Sequence, residues 1–275
     1  MSFPPICSAA LLFTIFCFAP GVGIKAICAQ PPPRDTRTPS IDHSDTLARF
    51  VDELVSVTPG KNGFPETVAL KSRELRLSYE IQIACYETTQ ELYQVVMGKN
   101  PSRWKGPRNS VESVSKKDAG RFCDLLTSML RQKELIGPTA EVRLPTAAEW
   151  EYCCRAGSVE PFCFGRLDDS PKQLDRYAWH TGNAAGNDPA VGVLLPNTYG
   201  LYDVHGYLWE FVNADGTADS APGTTWVMGG SWRDPAPRLA ANSKKSIPIS
   251  AASDAVGFRC VVTAVPLNSK NLSDR

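Results

Sequence analysis

The residues best suited to chemistry in this sequence are two carboxylates set among glycines and aromatic side chains. Asp203 and Glu210 lie in the stretch Gly200–Phe211, which packs glycines, aromatics and carboxylates more densely than any other part of the chain. Carboxylate oxygens are ligands that hard cations prefer, and glycine permits backbone angles that a side chain would exclude. The stretch therefore indicates either a cation-binding turn or a plain turn that leads into a core strand.

The end of this stretch has the pattern of a β-strand. Residues 208–212 alternate, with Trp209 and Phe211 on one face and Glu210 on the other, as a strand of period two requires. Residues 227–232, Val-Met-Gly-Gly-Ser-Trp, repeat the combination of glycine and aromatic residues downstream. On the pattern alone, a buried tryptophan in a core strand is the simpler interpretation.

Cysteines and histidines are the other candidate metal ligands. Cysteines of an exported protein commonly pair, but their number does not give the connectivity. Cys153 and Cys154 are adjacent on a predicted helix and point about 100° apart, so we expect small core residues rather than joint ligands of one metal. The histidines are His43, His180 and His205. Since none has a partner at i+4, we expect histidines that are hydrogen-bonded or at the surface.

Three helices that must position these residues are predicted from N-terminal capping residues, which accept hydrogen bonds from the first turn. They are a short helix ending at Met97 and capped by Thr88 or Thr89, a helix through Leu130 that begins at Ser115 with Asp118, and a helix from Thr146 with Glu149 that ends at Gly157.

Hydrophobic periodicity predicts two further elements. Ser44–Val57 carries an i, i+3, i+4 apolar stripe, typical of an amphipathic helix that packs on the domain or docks a partner. From Thr67 to Ala84 alternate residues are apolar, including Tyr79, which predicts one face of a strand. Trp104, in the loop after the short helix, is expected to cover the core.

The net charge of zero gives no support for binding to nucleic acid or to an anionic membrane surface. The chain has 275 residues with 29 basic and 29 acidic side chains, and binding to nucleic acid or to an anionic membrane surface needs a basic field. We therefore expect no nucleic-acid partner. Once the signal peptide predicted below is cleaved, we also expect no membrane span.

The N-terminal segment predicts export. The apolar run Ala9–Ala19 has the length of a signal peptide rather than of a membrane span. We predict a signal peptide at 1–29 and a periplasmic or secreted protein. A Pro-rich linker and the amphipathic helix follow at 30–62, then one domain at 63–264 and a polar tail at 265–275.

Four separated motifs, in order, resemble the formylglycine-generating enzyme (sulfatase-modifying factor) family. They are Glu87-Thr-Thr-Gln90 with Asn100-Pro-Ser102, Arg143-Leu-Pro-Thr-Ala-Ala-Glu-Trp-Glu-Tyr152, Gly200-Leu-Tyr-Asp-Val-His-Gly-Tyr-Leu-Trp-Glu210 with Gly229-Gly-Ser-Trp232, and Gly257-Phe-Arg-Cys260. The resemblance runs from about Leu75 to Val262. It implies an α+β fold, a single loop-rich, C-type-lectin-like domain with little regular secondary structure.

The resemblance also implies a structural calcium ion. In the family, the stretch that matches Gly200–Glu210 wraps calcium with side-chain and backbone oxygens. Here the matching donors are Asp203, Glu210 and the carbonyls near Val204 and Gly206. Tyr207 stands where a family asparagine would contribute an amide oxygen.

The oxidase centre of the family is missing from the sequence. Family members that make formylglycine carry two cysteines after the Gly-Gly-Ser-aromatic motif, and the pair holds copper(I). Copper(I) needs soft thiolate ligands, and the matching positions here are Asp234 and Leu239. Copper is therefore not expected.

A disulfide is a further implication of the resemblance. Cys260 matches a family position that in some members bridges to a cysteine on the helix that here contains Cys123. We therefore predict a Cys123–Cys260 disulfide.

The leading functional hypothesis is an exported, non-oxidase member of the family that acts as a binding or scaffold domain. Its groove would use Trp232, Arg233, Asp234 and Arg238, with the arginines binding a carboxylate or sulfate. An equally open alternative is that the arginines pair with Asp234 and neighbouring acids. The expected ligand is a peptide, protein or glycan, and the expected state is a monomer.

Two enzymatic alternatives stay open. One is a non-heme iron relative, although the known sulfoxide synthases take their iron ligands from an additional helical domain. The other is a formylglycine-generating oxidase with displaced ligands. Copper or iron in stoichiometric amount would favour an enzyme.

Overall fold

A computed structural model describes most of the chain. The described residues are 43–167, 171–184, 188–214 and 221–264. The predicted signal peptide, the Pro-rich part of the linker and the polar tail lie outside these residues. Within the described ranges, each helix falls short of the length and apolar character that crossing a membrane requires.

Short helices and strands alternate with long loops, which confirms the expected α+β, loop-rich architecture. In chain order the elements are α1 (Ser44–Asp52), β1 (Leu54–Val57), β2 (Thr67–Ala69), β3 (Glu74–Arg76), β4 (Ile81–Ala84), α2 (Gln90–Met97), α3 (Lys116–Gln132), β5 (Ala140–Arg143), α4 (Ala147–Arg155), a 3-10 helix (Pro171–Arg176), β6 (Trp209–Phe211), β7 (Thr224–Met228), a second 3-10 helix (Ala236–Leu239), β8 (Lys244–Pro248), β9 (Val256–Gly257) and β10 (Val261–Ala264).

The core is built on an antiparallel sheet of order β1-β4-β10-β5. Successive residues of a strand face opposite sides. Thus Cys260 and Val262 pack with α1, α2 and α3, whereas Ile83 and Val261 pack with α4 and the β2–β3 hairpin. The same alternation makes both faces of this sheet buried.

A second sheet positions the carboxylate motif. Its order is β8-β7-β6-β9. Glu210, in the middle of β6, is opposite Met228 in an antiparallel pair and opposite Gly257 in a parallel pair. This pairing brings the Gly-aromatic stretch beside the Gly-Phe-Arg-Cys motif.

The N-terminal helix is shorter than predicted and belongs to the domain. It ends at Asp52, and residues 54–57, predicted as the last four residues of the helix, form β1 along the edge of β4. Leu47 and Phe50 are buried against α2 and α3. The apolar stripe is therefore a packing face. The prediction of helix through Val57 is wrong because the backbone of residues 54–57 forms hydrogen bonds with the edge strand β4 instead.

Two other local predictions are wrong. The segment 67–84 is a hairpin, β2–β3, followed by β4, rather than one strand face, and Tyr79 is 48% exposed with its hydroxyl bonded to Glu149 at 2.7 Å. Trp104 is 49% exposed and does not cover the core. Alternation of apolar residues does not show where a chain reverses direction.

The capping predictions are confirmed. Thr89 caps α2, and complete capping boxes begin α3 at Ser115 and α4 at Thr146. Cys153 and Cys154 are both fully buried, as expected of core residues.

The predicted disulfide joins α3 to the segment before β10. Cys123 and Cys260 are buried thiols whose sulfur atoms lie 3.9 Å apart. The two side chains therefore face each other in the core, and their covalent pairing stays a prediction.

Candidate functional site

Glu210 is buried and bound to Arg259. Arg259 has no exposed surface. Its guanidinium donates to Glu210 Oε2 at 2.7 Å through Nε and to Oε1 at 2.8 Å through Nη2, the bidentate geometry that strengthens such pairs. Trp150 Nε1 donates another bond to Oε2 at 2.8 Å. The other acceptors of Arg259 are the backbone carbonyls of Ala84, Cys85 and Tyr202.

Two further carboxylates are buried near this pair. Glu87 accepts from the Leu208 N–H at 3.2 Å and from the Ser110 hydroxyl. Asp203 Oδ2 accepts from the Gly192 N–H at 3.0 Å, whereas its Oδ1 is buried without a hydrogen-bond partner among the described residues. Burial raises the pKa of Asp203 to about 6 and the pKa of Glu87 well above its usual value. We call Glu87, Asp203 and Glu210 the buried carboxylate cluster.

The calcium ligand set predicted from the sequence is only partly consistent with this geometry. Both oxygens of Glu210 accept hydrogen bonds from Arg259, so Glu210 has fewer free lone pairs for calcium, and its role as a ligand stays a prediction. The Val204 carbonyl accepts from the Cys154 thiol at 3.3 Å, and the Gly206 carbonyl accepts from the Trp179 N–H at 3.5 Å. Asp203 Oδ1 is the oxygen of this set that accepts no hydrogen bond from the described residues. An unpaired buried carboxylate oxygen is a suitable ligand for a hard cation.

The two positions matched to the copper-binding cysteines have other roles. Asp234 Oδ2 accepts from Trp209 Nε1 at 2.8 Å and from the backbone and hydroxyl of Ser231 at 3.1 and 2.6 Å. Leu239 is fully buried against Gly206 and Gly230. A Cβ on Gly206 would lie 2.5 Å from Leu239 Cδ2, so glycine is required for this contact. Neither position offers the soft donor that copper(I) requires.

An imidazole contacts the Leu239 carbonyl, and two cysteines contact that imidazole. His205 Nδ1 lies 2.9 Å from the Leu239 carbonyl, and its Nε2 accepts from the Cys163 N–H at 3.0 Å. The Cys154 sulfur lies 3.7 Å from His205 Nδ1. Burial raises the pKa of Cys163 to about 12 and that of Cys154 well above its usual value, and it lowers the pKa of His205 to about 4. These thiols are therefore neutral without a metal, and each would have to lose its proton to bind copper(I).

The structure brings together only part of the predicted groove. Trp232 and Arg233 form one unit, with the guanidinium 4.6 Å from the indole centroid and 2.6 Å from Asp254. Asp234 turns inward to Trp209, and Arg238 is exposed on the second 3-10 helix. Of the two interpretations of Arg233, pairing with a neighbouring acid is the one observed.

Trp232 lines a pocket with a volume of about 120 Å³, which we call the aromatic pocket. The lining residues are Trp104, Glu112, Ala184, Asp188, Tyr207, Leu208, Trp232 and Asp254. They come from loops distant in the sequence, which is why sequence reasoning missed all but Trp232 as site residues. A signal existed for Trp104, because a large aromatic in a polar loop is often a binding residue.

The role of Arg259 was also not evident from its motif. Its only signal is a charged residue inside the apolar run 255–262, which requires a buried carboxylate partner.

A comparison with known families decides the affiliation of this fold and site. The family described as sulfatase-modifying factor enzyme 1-like domain matches residues 42–264. The chain belongs to this family. The matched range of the sulfatase-modifying factor domain includes α1 and β1, which the sequence prediction placed ahead of the domain.

Two curated relatives illustrate the range of this family. The chain is 28% identical over 225 residues to the chaperone protein LppX of Paenibacillus barcinonensis, covering 66% of this chain and 79% of the relative. It is 30% identical over 135 residues to the inactive C-alpha-formylglycine-generating enzyme 2 of Mus musculus, covering 44% of this chain and 43% of that protein. The match thus spans less than half of the latter relative.

Solved structures agree on the fold. Treponema denticola variable protein 1 superposes with a TM-score of 0.63 at 22% identity, covering 77% of this chain and 95% of the other. At this identity the likeness concerns the fold alone, and the sulfatase-modifying factor fold predicted from the sequence is confirmed.

Proposed function

We propose that this protein is an exported, non-oxidase member of the sulfatase-modifying factor family that acts as a binding domain. The observation that carries the proposal is the chemistry at the two matched cysteine positions. Asp234 is a hard oxygen donor committed to Trp209 and Ser231, and Leu239 has no donor. A soft-metal oxidase centre has no ligands there, while the adjacent aromatic pocket is open to a ligand.

The nearby thiols support this proposal over an oxidase with displaced ligands. Cys154 and Cys163 are neutral because burial raises their pKa values, and both ring nitrogens of His205 have partners. Binding copper(I) would require two deprotonations in a buried setting and the loss of a hydrogen bond.

The names of two relatives are consistent with a binding role. One is called a chaperone and another an inactive formylglycine-generating enzyme. A peptide, protein or glycan ligand for a monomeric domain is therefore part of the proposal. A screen of immobilised sulfatase-derived peptides and sulfated glycans, with size-exclusion chromatography for the monomer, tests this part.

The oxidase test uses the full chain, copper(I), oxygen and a Cys-x-Pro-x-Arg peptide. We expect no peptide aldehyde by mass spectrometry. Stoichiometric formylglycine would overturn the proposal. The matched control is the double variant Asp234→Cys, Leu239→Cys, which restores two thiols and should bind copper(I) more tightly than the native chain.

Export is tested by N-terminal sequencing of protein recovered outside the cytoplasm. A mature chain that begins close to residue 30 is the expected result. Material that begins at Met1 would remove the signal peptide from the proposal.

We also propose that calcium binds at Asp203 Oδ1. The support is the unpartnered, buried oxygen within a cluster of three carboxylates that faces one guanidinium. At neutral pH, calcium should raise the melting temperature of the native chain and a chelator should lower it, whereas Asp203→Asn should respond to neither. A native chain that responds to neither would refute calcium binding.

A further inference from the structure

The charges around the aromatic pocket are not balanced. Asp254 is shared by two arginines, Arg233 at 2.6 Å and Arg103 at 3.5 Å. Glu112 and Asp188, the other two carboxylates of the lining, form no ion pair with any described residue. Three carboxylates and two guanidiniums leave one negative charge in excess, so the pocket favours a cation.

The carboxylates supply charge, and hydrogen bonds hold them in place. Asp188 accepts from the Tyr207 hydroxyl at 2.8 Å and from the Asn109 amide at 2.5 Å. Glu112 accepts from the backbone N–H groups of Arg103 and Trp104 and from the Ser113 hydroxyl. A carboxylate has about four lone-pair sites, so these bonds hold Asp188 and Glu112 in position and leave both with their negative charge.

The walls are aromatic and held in place. Arg103 stacks on Trp104 at 4.8 Å and Arg233 on Trp232 at 4.6 Å, and Trp232 Nε1 donates to the Asp254 carbonyl at 3.1 Å. Both indoles are thus oriented before any ligand arrives. Each indole has a second face besides the one that its arginine covers, and indole faces attract cations, alkylated ammonium groups among them.

Tyr207 contributes the third ring at a conformational cost. Its φ is +144°, outside the usual range for a side-chain-bearing residue, yet the side chain is 4% exposed and reaches Asp188. Such backbone strain persists where the surroundings enforce it, and it concentrates at binding sites. The strained turn therefore aims an aromatic ring at the pocket.

We propose that the aromatic pocket binds an organic cation of the trialkylammonium class, an inference that rests on the proposed binding function. Three aromatic rings and an excess carboxylate charge match its diffuse positive charge. The aromatic faces attract a cation without requiring it to donate a hydrogen bond, which is the way quaternary ammonium groups are commonly recognised. The volume of about 120 Å³ suits a compact headgroup rather than an extended side chain.

The test titrates the full chain with choline, its neutral isostere 3,3-dimethylbutan-1-ol, and ethanolamine, and follows tryptophan fluorescence and heat. We expect choline to bind about tenfold more tightly than either of the other two, a preference the size of one cation–π contribution with charge attraction. Glu112→Gln should weaken choline severalfold and leave the neutral isostere unchanged, because it removes the charge and retains the shape.

Substitution of Trp104, the exposed aromatic wall of the pocket, gives a second measurement of choline affinity. Trp104→Leu should lower choline affinity about tenfold, whereas Tyr79→Leu, which removes an equally exposed aromatic side chain elsewhere, should not. Near-UV circular dichroism of both variants establishes that they are folded.

Results that would refute the trialkylammonium ligand differ from results that would refute the proposed binding function. Equal or tighter binding of the neutral isostere, or of ethanolamine, would overturn the trialkylammonium assignment and leave the binding function intact. Absence of binding by all three probes would likewise overturn the assignment, and a peptide or glycan hit would then keep the binding function. Formation of peptide aldehyde would instead refute the proposed function itself.

Discussion

At the scale of single residues, Arg259 is the side chain on which the buried polar core depends. It neutralises Glu210 and binds three backbone carbonyls, with no exposed surface. Removing one partner of a buried pair leaves the other charge without compensation. Arg259→Met should therefore lower the free energy of unfolding by about 3–5 kcal/mol, measured by urea denaturation.

The control for this prediction is Arg49→Met. Arg49 is half exposed and pairs with Glu91 at 2.6 Å, and exposed pairs contribute about 1 kcal/mol or less. If both variants lost stability equally, the central role of Arg259 would be refuted.

Asp203 gives a pH-dependent prediction. Burial raises its pKa to about 6, so the folded state binds this proton more tightly than the unfolded state does. Its contribution to the free energy of unfolding is therefore largest in acid and falls as pH rises from about 4 to about 6. Without calcium, Asp203→Asn should gain stability relative to the native chain over this interval, by up to about 3 kcal/mol. A difference between the two chains that does not change with pH would contradict this prediction.

The pH dependence of stability that His205 causes should run in the opposite direction to that of Asp203. Burial lowers its pKa to about 4, so the unfolded state binds the proton more tightly. Its contribution is present above about pH 6.5 and is lost as pH falls towards about 4. In His205→Gln, stability should depend less on pH between these values than in the native chain. Thermal unfolding of both proteins across the interval measures the effect, and parallel pH profiles would rule it out.

At the scale of elements, the strongest local signals were the helix starts. The capping residues of α2, α3 and α4 were identified correctly because a cap involves residues only three apart. The boundary between helix and strand near Leu54 and the strand boundaries near Tyr79 were predicted incorrectly. Their states depend on which distant strand supplies hydrogen bonds, as β4 does for β1.

The predicted disulfide is the test at this scale. If Cys123 and Cys260 are joined in exported protein, the bond links α3 to the segment before β10 across 137 residues. A bond across so long a loop constrains the unfolded chain by about 5 kcal/mol in the entropy model. A reductant should therefore lower the stability of the native chain but leave Cys123→Ser unaffected. Peptide mapping without reduction that finds both thiols free would disprove the bond.

At the scale of the whole molecule, the domain needs its N-terminal helix and strand. Leu47, Phe50 and Val57 are buried, and β1 completes the edge of the central sheet. Each such side chain contributes about 2 kcal/mol on burial. A fragment of residues 63–264 should therefore be much less stable to urea than residues 43–264. Equal unfolding midpoints would contradict this dependence.

The sequence by itself determined the family, the α+β class, the helix caps and the absence of the two matched thiols, because these depend on residue identity and short spacing. Only the tertiary structure decided that Glu210 pairs with Arg259, and that Trp232 forms a pocket with Trp104 and Tyr207. Those outcomes depend on side chains from distant loops meeting in a low-dielectric interior. There, burial sets protonation and charge pairing, and neither can be inferred from spacing along the chain.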